Sequence, residues 1–147
     1  MIILDTHVVL EIMRPRPEPV VMGWLDMQYP DHLFLTAVTL SELVYGAHVL
    51  PAGKRRDRFN TAIESLASRD FPGRILPFDQ RAAWLFGIQM AVARKAGKAI
   101  SRNDGFIAAI ALANDVTAVA TRDTTPFEVM SVGVVNPWLT ENRQPYN

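Results

Sequence analysis

Short unbroken apolar runs alternate along the chain with longer segments of helical periodicity. Ile2, Ile3 and Leu4 form the first run, which stops at Asp5. Apolar positions without alternation fit a parallel strand covered on both faces. Val8, Val9, Ile12 and Met13 then recur at helical spacing, up to Arg14-Pro15. Pro19 opens a second helix in which Val20 and Trp24, and Val21 and Leu25, pair at i, i+4. Residues 33–38 are rich in β-formers and read as a second strand. Thr39-Leu40-Ser41-Glu42 matches a capping box and predicts a helix to about Val49. Residues 51–58 read as a basic loop, and Phe59, Ile63, Leu66 and Ala67 as the face of an amphipathic helix.

Residues 75–78 read as a short strand. Asp79 begins a long helix that Gly97 ends, a favourable residue just past a helix cap. Ser101-Arg102-Asn103-Asp104 repeats the capping-box pattern before an apolar helix over residues 106–113. Residues 116–120 form a strand that stops at Thr121-Arg122-Asp123, and residues 132–135 a last one before Asn136-Pro137-Trp138. No internal repeat, low-complexity tract or linker interrupts the pattern. Strands alternating with helices predict an α/β fold, a parallel sheet with helices on both faces, in a single domain over residues 1–147. In such sheets ligands bind beyond the carboxyl ends of the strands.

Composition narrows this little. Of the 147 residues, 49% are hydrophobic and 20% charged, which fits an ordinary soluble core and argues against disorder. The absence of cysteine excludes a disulfide scaffold, a cysteine nucleophile, zinc ribbons and iron–sulfur ligation. Fifteen basic residues balance fifteen acidic ones, so a strongly basic nucleic-acid-binding protein is not indicated. The longest apolar run, residues 106–113, is far short of the roughly 20 residues a membrane helix needs. The start of the chain lacks the pattern of a signal peptide. A cytoplasmic protein with no membrane segment is expected.

The chemistry lies in four carboxylates. Asp5 and Asp123 follow the carboxyl ends of strands, and Glu42 and Asp104 fall in the first turns of helices. All four are expected at one edge of the sheet, where their repulsion would be costly without a cation. Mg²⁺ and Mn²⁺ prefer such an all-oxygen set, and sites of this kind activate water against phosphate esters. Each acid also has a plainer reading. Glu42 and Asp104 fit the third position of capping boxes, and Asp5 and Asp123 fit turn residues bonded to nearby amides.

Four blocks of this sequence resemble a known family. Asp5-Thr6 after the apolar strand, Ser41-Glu42-Leu43 with Gly46, Asp104-Gly105-Phe106-Ile107-Ala108-Ala109, and Thr121-Arg122-Asp123-Thr124 are similar to the signature blocks of PIN-domain ribonucleases. The likeness is to the VapC and FitB-like toxins of prokaryotic toxin–antitoxin modules, and it runs from Met1 to about Trp138. It implies a PIN-like three-layer α/β/α fold with a parallel sheet of about four or five strands. It implies that Asp5, Glu42, Asp104 and Asp123 are catalytic and bind Mg²⁺ or Mn²⁺. The implied activity is endonucleolytic cleavage of RNA by metal-activated water. The implied partners are a small antitoxin and a second copy of the chain.

Two positions depart from the family. The family commonly has Asn two residues after the first Asp, where this chain has His7. A neutral imidazole can orient a carboxylate much as an amide does, but a partly buried structural histidine is the plainer reading. Many relatives carry Asn at position 123 and an acid three residues later, where this chain has Pro126. The FitB-like branch has the Thr-Arg-Asp-Thr found here. Thr6 and Thr121 are candidates to orient the acids through their hydroxyls. Lys54, Arg55, Arg56 and Arg58 form one basic cluster, and Arg94, Lys95, Lys98 and Arg102 another. Arg102 is the favoured RNA contact, although such clusters are usually solvated faces. Two rival readings are a phosphoryl-transfer protein with Asp5 as nucleophile, of phosphatase or receiver type, and a PIN scaffold of weak activity in a DNA-binding toxin–antitoxin complex.

Overall fold

The structure, a computed structural model, describes residues 1–140, so residues 141–147 of the expected domain lie outside the described residues. Five strands, β1 (Ile2–Leu4), β2 (Leu33–Thr36), β3 (Ile75–Leu76), β4 (Ala118–Ala120) and β5 (Val134–Val135), form one sheet. Every neighbouring pair is parallel, in the order β3-β2-β1-β4-β5. Among the described residues, seven α-helices accompany them: α1 (Thr6–Ile12), α2 (Pro19–Asp26), α3 (Ala37–His48), α4 (Lys54–Ser65), α5 (Gln80–Lys95), α6 (Arg102–Ala113) and α7 (Thr125–Val129).

Strand β1 shows how the two faces are built. Ile2 and Leu4 join a core with Val8, Val9, Val21, Trp24 and Leu43 from α1, α2 and α3. Ile3 points the other way, into a core with Ile107, Ile110, Val119, Phe127 and Met130. The chain is therefore a three-layer α/β/α fold with a fully buried central strand, as an unbroken apolar run requires. Among the described residues, no helix is long and apolar enough to cross a membrane.

Several boundaries differ from the sequence reading. Strand β2 stops at Thr36, not 38, because the Thr36 hydroxyl caps α3 by accepting the Thr39 N–H at 3.1 Å. Helix α3 thus starts a turn before the expected capping box, and Glu42 sits in its second turn. Residues 54–58, read as loop, are the first turns of α4; Lys and Arg are good helix formers. Helix α7 was not foreseen. Pro126 is tolerated in its first turn, where no intrahelical N–H bond is lost. Residues 66–70 form a π turn extending α4.

Other signals hold. Asp79 caps α5 by accepting from Ala82 N–H at 2.9 Å. Gly97, at φ 72°, closes it, with Lys98 N–H bonded to Ala93 C=O and Gly97 N–H to Arg94 C=O at 2.9 and 3.0 Å. That double bond is a Schellman end, which needs the left-handed conformation glycine adopts freely.

Candidate functional site

The strand order reverses between β1 and β4, which makes the carboxyl ends of these two strands the place where a doubly wound sheet opens a crevice. Asp5 and Thr121 are the residues that follow them. Asp5 N–H donates to Ala120 C=O at 2.9 Å, extending the ladder by one rung. Asp5 is the N-cap residue of α1, yet its side chain makes no capping bond. The carboxylate instead accepts the Thr121 hydroxyl on Oδ2 at 2.8 Å and lies 3.2 Å from His7 Nδ1 at the same oxygen. Its residue is 3% exposed, and a carboxylate that buried persists only with such partners.

Thr121 is itself fully buried. Its oxygen also accepts the Asp123 N–H at 3.2 Å, so one hydroxyl ties Asp5 to the turn carrying Asp123. The Asp123 side chain is exposed.

Glu42 reaches the same edge from α3 and is half-buried. It accepts the Thr6 hydroxyl on Oε2 and the Asn103 side-chain amide on Oε1, the latter at 2.5 Å. Thr6 Oγ1 is also 3.2 Å from Thr39 Oγ1. Because the single Thr6 proton goes to the carboxylate, Thr39 is the donor in that second bond. Asn103 was not singled out from the sequence, where it reads as an ordinary residue of a helix's first turn. An amide next to a candidate ligand was the available signal.

Asp104 occupies the third position of α6. Ser101 caps the helix by accepting Asp104 N–H at 3.1 Å and donates its hydroxyl to Asp104 Oδ2 at 2.6 Å. Partial burial, first of all, raises the Asp104 pKa above the usual carboxylate value; the Ser101 bond opposes this, and the charges of Asp5, Asp123 and Glu42 add to it. The charges of the other three acids therefore reach Asp104.

His7 is largely exposed, not partly buried, with 61% of its side chain accessible. Its pKa is raised, chiefly by the hydrogen bond to Asp5, against the opposing effect of burial and with the charges of Asp5, Asp104 and Glu42 contributing. Arg102, at the first position of α6, is exposed.

The donor set is all oxygen and anionic, which fits a hard divalent cation and no soft metal. The acids are nonetheless not closed into a coordination shell. Among the described residues, no group of three or more His, Asp or Glu side chains stands in an arrangement that could hold a metal ion. Separate hydrogen bonds hold Glu42, Asp5 and Asp104.

Comparison with known proteins agrees with this architecture. A family model described as PIN domain matches residues 2–131. The chain is 43% identical over 138 residues to the VapC ribonuclease Y4jK of Sinorhizobium fredii, covering 94% of this chain and 98% of that protein. It is 41% identical over 138 residues to Toxin FitB of Neisseria gonorrhoeae, covering 94% and 99%. A solved structure of FitAB bound to a DNA fragment superposes with a TM-score of 0.88 at 39% identity, covering 96% of this chain and 98% of that one.

Proposed function

The chain belongs to the PIN-domain family, in its VapC/FitB branch, and from that membership we propose that it is the toxin of a type II toxin–antitoxin pair, an endoribonuclease dependent on Mg²⁺ or Mn²⁺. The observation that carries the reading is a pair of hydrogen-bonded links at the edge where the strand order reverses: Thr121 ties Asp5 to the turn carrying Asp123, and Asn103, next to Asp104, holds Glu42. These four acids would hold the ion. Such an ion, when bound, lowers the pKa of water and stabilises charge on the scissile phosphate and the leaving oxygen.

The protein's own part is orientation. Thr121 and His7 both bond Asp5 through Oδ2, which fixes that oxygen and would leave Oδ1 for ligation. Thr6 and Asn103 hold the two oxygens of Glu42, and Ser101 holds Asp104. Partners of this kind align ligands and tune their basicity.

The antitoxin would cover the apolar side chains exposed on the same elements as Glu42 and Asp5: Val44 and Tyr45 of α3, Val49 just past its end, and Leu10 of α1. A second copy of the chain would take the α5 stripe of Trp84, Ile88 and Val92, spaced at i, i+4, i+8 and 74%, 49% and 55% exposed. The DNA-bound FitAB complex favours an addition to the nuclease reading: with its antitoxin, the chain forms part of a DNA-binding assembly. An RNA substrate and a cognate antitoxin would both put its site of action in the cytoplasm. The test is RNA-end sequencing after controlled expression of the chain and of its Asp104→Asn variant. New 5′-phosphate ends with the first and none with the second are expected; identical end maps would overturn the assignment.

A further inference from the structure

Beside the carboxylates lies a groove of about 440 Å³ between the second half of α5 and the segment leading into α6. Its floor is apolar, from Phe86, Met90 and Ile100, all half-buried. Its rim carries three cations, Arg94, Lys98 and Arg102, all exposed. Among the described residues, none of the three is in an ion pair. A larger concavity of about 660 Å³, lined by Trp84, Leu85 and Leu112, has one cation, Arg81.

The groove adjoins the candidate site through direct packing. Gly105 follows Asp104, and a β-carbon there would stand 2.8 Å from Met90 Sδ and 2.9 Å from Phe86 Cε2. The Phe86 ring stacks on Phe106 at a centroid distance of 4.4 Å. The apolar floor therefore backs the helical turn that presents Asp104. Arg102, on the rim, is two residues before Asp104, and the intervening Asn103 holds Glu42.

We propose that this groove seats a nucleotide of single-stranded RNA next to the scissile phosphate, with the phosphates on Arg94, Lys98 and Arg102 and the base against Phe86, Met90 and Ile100. The inference rests on the nuclease reading above and adds to it the side from which the strand enters. Charge complementarity selects the occupant. Three unpaired cations around an apolar floor match a strand whose backbone is anionic and whose base faces are apolar. A duplex buries those faces, and a neutral ligand makes no use of the cations. The groove also accounts for RNA binding by a chain of zero net charge: its cations are concentrated beside the acids.

The experiment is fluorescence-anisotropy titration of a labelled single-stranded RNA 12-mer in EDTA, where metal-dependent cleavage is suppressed. The Arg94→Ala/Lys98→Ala double variant is expected to bind at least about tenfold more weakly, with the salt slope reduced by about 1.4, the value for two lost phosphate contacts on a single strand. The Arg55→Ala/Arg58→Ala variant on α4 is expected to match the wild type. An abasic 12-mer is expected to bind the wild type more weakly than the base-bearing strand. Unchanged affinity and slope in the Arg94/Lys98 variant would overturn the phosphate contacts, and equal binding of the abasic strand would overturn the base seat. Failure of the nuclease reading shows separately, as absence of cleavage when Mg²⁺ is restored.

Discussion

The Thr121 hydroxyl donates to Asp5 Oδ2 at 2.8 Å and accepts the Asp123 N–H at 3.2 Å, joining two strand ends 116 residues apart in sequence. Both ends meet because β1 and β4 are paired neighbours, with Leu4 opposite Ala120. Thr121→Val keeps the shape and removes the hydroxyl. It leaves a buried carboxylate short of one donor and an amide short of its acceptor, at a cost of about 1–3 kcal/mol. The expected result is a lowered midpoint in denaturant with unchanged slope, together with slower RNA cleavage. Thr121→Ser is expected to restore most of both.

Asn103 separates activity from stability. Its amide holds Glu42 Oε1, but the residue is exposed on the first turn of α6. Asn103→Ala is therefore expected to change stability by less than about 0.5 kcal/mol. Removal of a ligand's orienting partner typically costs about 10–100-fold in metal affinity or activity, and a loss in that range is expected. Thermal melting and cleavage rates on the same preparation check the split.

The end of α5 tests the backbone argument. Gly97→Ala places a β-carbon at φ 72°, which costs about 1–2 kcal/mol. Nothing lies within 4 Å of that β-carbon, so the effect is conformational. A melting temperature lower by roughly 2–8 °C is expected, with RNA cleavage at 25 °C unchanged.

Glu11 gives a pH signature away from the site. It is buried in α1, accepts the Glu18 N–H at 2.7 Å, and pairs with Arg14 at 3.0 Å. The Glu18 amide, first, and Arg14 hold its pKa below the usual carboxylate range, against the effect of burial. A depressed carboxyl pKa stabilises the fold above the unfolded-state pKa, and that stability is lost as pH falls through the folded-state value. The stability gap between the wild type and Glu11→Gln is expected to be full at pH 7 and to close as pH falls below about 4.3, the unfolded-state value of a glutamate. Melting curves from pH 7 to pH 3 measure it; a gap independent of pH would contradict the assignment.

Much of this arrangement was legible in the residues, for a physical reason. Ile2-Ile3-Leu4 is apolar at every position because β1 is covered on both faces, and that same burial makes the following Asp5 conspicuous. Ser101 and Asp79 announce their helices because their side chains do cap them. Glu42 was misplaced by a turn because both Thr36 and Thr39 are competent caps, and only the end of β2 decides between them. Thr36 takes the cap, so Glu42 is free of the capping role and turns to Thr6 and Asn103. The Asn103–Glu42 bond spans 61 residues, and no local pattern encodes it. The cations of the groove were visible as a cluster, but their apolar floor comes from Phe86 and Met90, two turns and one turn back along α5 from Arg94.

Asp5, Glu42, Asp104 and Asp123 are proposed to support metal-dependent cleavage of RNA together. Single-turnover cleavage of a labelled RNA by purified protein, with Mg²⁺ and with EDTA, tests it most directly. The wild type should cleave only with Mg²⁺, leaving 5′-phosphate and 3′-hydroxyl ends, and folded Asp5→Asn and Asp104→Asn variants should fall by at least about 100-fold, the upper end of what loss of an orienting partner alone costs. Equal cleavage by wild type and variants, or cleavage undiminished in EDTA, would contradict it.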